Sequence, residues 1–104
     1  MSVERIRELN DQFRATNIGG RVMMTAGVEA LSEAMRQEVF NRVRTFDAFT
    51  ADNDPRGEHD FGNFEIGAKK VFWKIDLYED PEVKGANGQS ATTRILTIML
   101  AEEW

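Results

Sequence analysis

The chain has 104 residues, 41% of them apolar and 30% charged, a balance that fits a folded globular protein and excludes a disordered polymer. Thirteen Lys and Arg stand against eighteen Asp and Glu, a net charge of −5, which argues against direct binding to nucleic-acid phosphates. No cysteine is present, so disulfide and thiolate chemistry are excluded, and the length suits one domain over residues 1–104.

Residues Met1 to Glu8 lack the apolar core of a signal peptide. No apolar run approaches the ~20 residues of a membrane helix. The expectation is a cytoplasmic protein with no membrane partner.

Ser2 to Thr16 reads as an amphipathic helix with Val3, Ile6, Leu9 and Phe13 on one stripe, Ser2 as N-cap, and Asn17 with Gly19-Gly20 as the stop. A short strand, Arg21 to Thr25, follows. Thr25 is placed to cap a second helix over Ala26–Thr45, where Val28, Leu31, Met35, Val39 and Val43 recur at three- and four-residue spacing. Arg42 and Arg44 in its last turn complement the helix dipole.

Asp47 to Asp60 is a long connection, bracketed by Phe46, Phe49 and Phe61. Within it Asp54-Pro55-Arg56-Gly57 fits a type I turn. From Phe61 the pattern changes to strands, with Gly67-Ala68 as a tight turn. On the strand from Lys69 to Tyr78, Val71, Trp73, Ile75 and Leu77 alternate with Phe72, Lys74, Asp76 and Tyr78, so the first set is expected under the helices. Glu79 to Ala91 reads as a polar loop. Thr92 to Ala101 is apolar on both faces, which places it centrally in the sheet.

The order is therefore helix, strand, helix, strand, strand, strand. It predicts an α+β fold: a mostly antiparallel four-stranded sheet with two helices packed on one face. The first strand is free to pair in either direction. If helices cover one face, the other face needs a partner, a second copy or loops to hide it.

The stretch from Asp52 to Gly62 (Asp-Asn-Asp-Pro-Arg-Gly-Glu-His-Asp-Phe-Gly), Val-Phe-Trp-Lys-Ile-Asp at 71–76 and Thr-Arg-Ile-Leu-Thr-Ile-Met-Leu-Ala at 93–101 resemble the bacterial domain-of-unknown-function family DUF3768. Asn10-Asp11 and Gly20-Arg21-Val22 extend the resemblance over nearly the whole chain. It implies a small stand-alone bacterial protein. It brings no activity and no catalytic residue.

The residues themselves support several chemistries around the acidic stretch, which holds the only histidine. Asp52, Asp54, Glu58, His59 and Asp60 are potential ligands for a divalent cation. Against an EF-hand, Asp52, Asp54 and Gly57 fall at the first, third and sixth positions. Arg56 stands where a ligand belongs, and Asn63 replaces the closing glutamate. A metal-dependent hydrolase would use Asp54, His59 and Asp60, with Lys74 and Asp76 nearby. A purely structural role pairs the loop acids with Arg56, Lys74 and Arg94 and with loop amides. No cofactor-binding motif is present.

The reading preferred from sequence is a protein-interaction module, binding a protein partner or forming a homodimer, with the Asp52–Asp60 loop at its working surface. Phe72, Tyr78 and Trp104 are its aromatic anchors. An acidic mimic of nucleic acid is a further alternative.

Overall fold

The computed structural model describes residues 2–84 and 90–104, with the side chains of 79–92 outside the described set. Helix α1 spans Val3–Thr16. Its start is set by Ser2, whose hydroxyl accepts the Arg5 amide at 3.1 Å. Its end is set by Asn17 in the left-handed conformation, whose N–H reaches the Phe13 carbonyl. Strand β1 (Gly20–Met24) follows.

The single helix expected over Ala26–Thr45 is two helices, α2 (Ala26–Glu29) and α3 (Glu33–Arg44). The break falls at Ser32, whose hydroxyl accepts the Met35 amide at 3.2 Å and starts α3 afresh. Arg36 bonds the carbonyls of Glu29 and Leu31 that the break releases. The apolar stripe survives, because Val28, Val39 and Val43 are all buried. Periodicity therefore concealed a break that left the inward face intact.

Strands β2 (Phe61–Ile66) and β3 (Lys69–Lys84) form the expected hairpin through Gly67-Ala68, with Gly67 at φ 57°. Strand β4 (Ser90–Leu100) returns antiparallel to β3, and a 3-10 turn at Ala101–Glu103 ends in Trp104. The polar loop expected over Glu79–Ala91 is shorter than that. Both strands run into it, and its middle residues, 85–89, lie outside the described residues.

Among the described residues the strands form one sheet in the order β1-β4-β3-β2. The sheet is mixed rather than mostly antiparallel, because β1 pairs parallel with β4. Topology dictates this. Helices α2 and α3 carry the chain back across one face, so β2 starts in the direction of β1. Two hairpin reversals then leave β4 running with β2, and so with β1. The central position expected for β4 is observed.

Helices α1, α2 and α3 each contribute to the buried cluster on one face of the sheet. Phe13, Val28, Val39 and Val43 meet Val71, Trp73 and Ile75 of β3, and Leu96, Ile98 and Leu100 of β4. Trp73 lies at the centre, and its indole occupies the space a side chain at Gly62 would need. A Cβ there would come within 2.5 Å of Nε1. Leu77, expected in the same row, is 52% exposed because it lies past the helical cover.

Candidate functional site

Two groups of residues stand out, on opposite faces of the sheet. The first is the connection between α3 and β2. Phe46 and Phe49 pin its start edge-on to Trp73, with ring centroids 5.5 and 6.1 Å away. Asp54-Pro55-Arg56-Gly57 is the expected turn, closed by the Gly57 amide on the Asp54 carbonyl at 3.1 Å.

His59 adopts φ 54° and stacks on Phe49, with centroids 3.7 Å apart and planes 2° from parallel. Its backbone amide donates to Asp54 Oδ1 at 3.1 Å, an interaction that holds the left-handed residue in place. On the ring, Nδ1 lies 2.8 Å from Asp11 Oδ1, and Nε2 lies 3.5 Å from Asp54 Oδ2. The imidazole is thus held edge to edge between two carboxylates and face-on to a phenyl ring.

Helix α1 clamps this loop. Arg7 Nε donates to the Gly57 carbonyl at 2.6 Å, and Asn10 Nδ2 donates to the Glu58 carbonyl at 3.0 Å. Asn10 Oδ1 accepts Arg94 Nε from β4 at 2.8 Å. Arg14, 5% exposed, donates to the carbonyls of Val43 and Phe46 and to Asp11, and its guanidinium lies over the Phe49 and Trp73 rings. Burial pushes the Arg14 pKa below its ordinary value, and the Asp11 carboxylate opposes that. Burial also lowers the pKa of Arg94, with Arg5 adding like-charge repulsion.

The expected residues are therefore only partly brought together. Asp54 and His59 meet. Asp52 stays exposed, while Glu58 and Asp60 contribute carbonyls, to Asn10 and to the Ile75 amide respectively. Lys74 and Asp76 were expected beside His59. They project from the opposite face, because strand alternation sends them away from Trp73, and they pair with each other at 3.2 Å. The expected pairing of the loop acids with Arg94 is replaced by the Arg94–Asn10 bond.

Chemically, Nδ1 is taken by Asp11, while Nε2 faces Asp54 at 3.5 Å, an ion-pair distance longer than a hydrogen bond. Asp11 and Asp54 lie at different ring nitrogens, so they do not converge with the ring on one point. Among the described residues no group of three or more His, Cys, Asp or Glu is arranged to hold a metal ion.

The second group is the helix-free face of the sheet. The register places Met23, Thr97, Lys74 and Phe61 in one row across it, and Phe72 beside Met99 in the next. Trp104 folds onto this face, edge-on to Phe61 and Phe72 at 5.3 Å each. A groove of about 420 Å³ lies here, lined by Met23, Lys74, Asp76, Tyr78, Ile95 and Trp104 among others. Met23, Tyr78 and Trp104 are 54, 54 and 64% exposed.

Glu103 holds Trp104 in place. Its carboxylate accepts the Gly27 amide at 2.9 Å, the Leu100 amide at 3.0 Å and the Thr25 hydroxyl. It thus occupies the start of α2, where Thr25 had been expected to cap through its own side chain. Bonds from Thr25 first, then from the Leu100 and Gly27 amides, hold the Glu103 carboxyl below its usual pKa. Position 27 must be glycine for this approach, since a Cβ would sit 2.6 Å from the carboxylate.

Sequence reasoning missed Arg7, Asn10, Asp11 and Arg14 as the loop's partners. Their signal was present: they recur at helical spacing and form a polar stripe beside the apolar one. Glu103 had no comparable signal, because two of its three partners, Thr25 and Gly27, are more than seventy residues away in sequence.

The protein-family comparison matches residues 24–103 to DUF3768, described as a protein of unknown function, and the chain belongs to that family. The match starts at the end of β1, so α1, including the Asn10-Asp11 pair, lies outside it. No curated protein and no solved structure matches the chain.

Proposed function

We propose that this chain is a protein-interaction module of bacterial cytoplasm, docking through the helix-free face of its sheet. The observation that carries the reading is the set of large side chains left in solvent there. Met23, Tyr78 and Trp104 are more than half exposed around a groove of about 420 Å³. A groove with aromatic anchors and a few fixed polar groups is the usual anatomy of a binding hot spot. The absence of cysteine accords with a reducing compartment.

The acidic stretch takes a secondary part. Asp54 and His59 face inward, leaving Asp47 and Asp52 exposed outside the docking face, where charge tunes encounter more than affinity.

The test is partner recovery on immobilised protein, comparing the native chain with Tyr78→Ser, Trp104→Ser and Asp52→Asn. The expected outcome is loss of the bound protein in the first two variants and retention in the third. Equal recovery by folded Tyr78→Ser and Trp104→Ser would sink the assignment to this face.

A further inference from the structure

The helix-free face has a charge pattern unlike the rest of the chain. The ionised groups that strand register and groove contacts place on it are Arg21, Lys70, Lys74, Glu65, Asp76 and Glu103. Among the described side chains these cancel, on a chain whose net charge is −5. Two copies approaching through their acidic surfaces repel, whereas copies approaching through this face do not.

The residues are also self-complementary. A two-fold interface requires that whatever lies on one side of the axis suit what lies at the same distance on the other. On β3, Lys74 and Asp76 flank Ile75, and Phe72 and Tyr78 flank them in turn. An axis lying in the interface, perpendicular to β3 at Ile75, sets Lys74 opposite Asp76 of the other copy. It sets Phe72, with the Trp104 indole lying against it, opposite Tyr78. On β4 the same axis sets Ile95 opposite Thr97 and Met99 opposite Thr93. Opposite charges meet, and aromatic meets aromatic. Strand β2 pairs only with Lys69–Lys74, on one side of this axis, so the overlap runs over β1, β4 and β3. It is on the order of 400 Å² before side-chain relief, about half the ~800 Å² per partner of a standard interface.

We infer that the helix-free face docks a second copy of this chain, the two sheets packed face to face with Lys74 of each copy against Asp76 of the other. The inference rests on the interaction reading above and names its partner. Lys74 and Asp76 pair with each other at the surface, so replacing them spares the core.

The experiment is sedimentation equilibrium of the full chain over a concentration series, with Lys74→Asp, Asp76→Lys, the double variant, and an equimolar mixture of the two single variants. Circular dichroism melts verify that each is folded. The expected result is a native dimer weakened about tenfold or more by either single reversal, because like charges then face each other. Association should return in the double variant and in the mixture, where opposite charges meet again. A native chain that stays monomeric up to its solubility limit overturns the inference, as does a dimer that neither reversal weakens.

The partner-recovery test separates this failure from that of the interaction reading. A monomeric chain whose partner is lost in Tyr78→Ser and Trp104→Ser retains the docking face and loses only the second copy. A chain with neither self-association nor face-dependent recovery loses both.

Discussion

The histidine loop and the helix-free sheet face are built in opposite ways. In the loop, the groups with the richest chemistry are engaged inside the fold: His59 between two carboxylates, Arg14 on two carbonyls and Asn10 bridging Glu58 and Arg94. On the sheet face, the groups are chemically plain and turned outward: an indole, a phenol, a thioether and one surface ion pair. The lesson is that density of titratable residues in a sequence measures demand for hydrogen bonds as readily as it measures catalysis. A long connection must satisfy its backbone somewhere, and here polar side chains of α1 do so. The apolar residues had no such obligation, and they are the ones left in solvent.

The largest effect expected from breaking this contrast is on the loop side. Arg14→Ala takes the guanidinium from the Phe46 carbonyl, leaves the Val43 carbonyl with backbone donors only, and opens a cavity beside Trp73. It is expected to cost about 3 kcal/mol and to lower the melting temperature by roughly 15 °C. A loss below about 1 kcal/mol in a urea titration would mean the guanidinium is dispensable.

His59→Ala should cost about 1–2 kcal/mol through the lost stack on Phe49 and the lost side-chain bond to Asp11. Combined with Asp11→Asn in a double-mutant cycle, it should show a coupling of at least about 0.5 kcal/mol. Strict additivity would mean that the 2.8 Å contact between the two side chains carries no energy.

The Glu103 latch, which links α2 to the aromatic face, gives a smaller and pH-dependent effect. Its folded carboxyl titrates below the ordinary 4.5, so its contribution is present above that value and is lost as pH falls through the lower folded value. Glu103→Gln should therefore melt earlier than the native chain at neutral pH, and the gap should close below pH 4.5. A gap that persists unchanged in acid would separate the latch from the carboxylate's charge.

The smallest stability effect is expected where the interaction reading puts the function. Tyr78→Ser, at a side chain 54% exposed, should change folding stability by less than about 0.5 kcal/mol while abolishing association. A loss of stability comparable to that of His59→Ala would make Tyr78 a structural residue.

Much of this molecule was legible from local pattern. Ser2 and Asn17 bounded α1, Gly67-Ala68 marked the hairpin, and Asp54-Pro55-Arg56-Gly57 marked a turn. Alternation along β3 separated Trp73 from Lys74, and the double-sided apolarity of β4 placed it inside the sheet. Each of these signals acts over a few residues, because backbone dihedrals, caps and strand faces are set by near neighbours. What the loop and the face do with their side chains was decided at long range. Whether His59 stood free or between Asp11 and Asp54 depended on where α1 docked, 48 residues away in sequence. The parallel partner of β1 depended on how many reversals the later strands made. The position of Trp104 depended on Glu103 finding the start of α2, 76 residues earlier, past a glycine with no side chain to block it. Composition named the groups available for chemistry. Packing chose which of them the fold would use for itself, since an unpaired buried polar group costs more than an exposed apolar one.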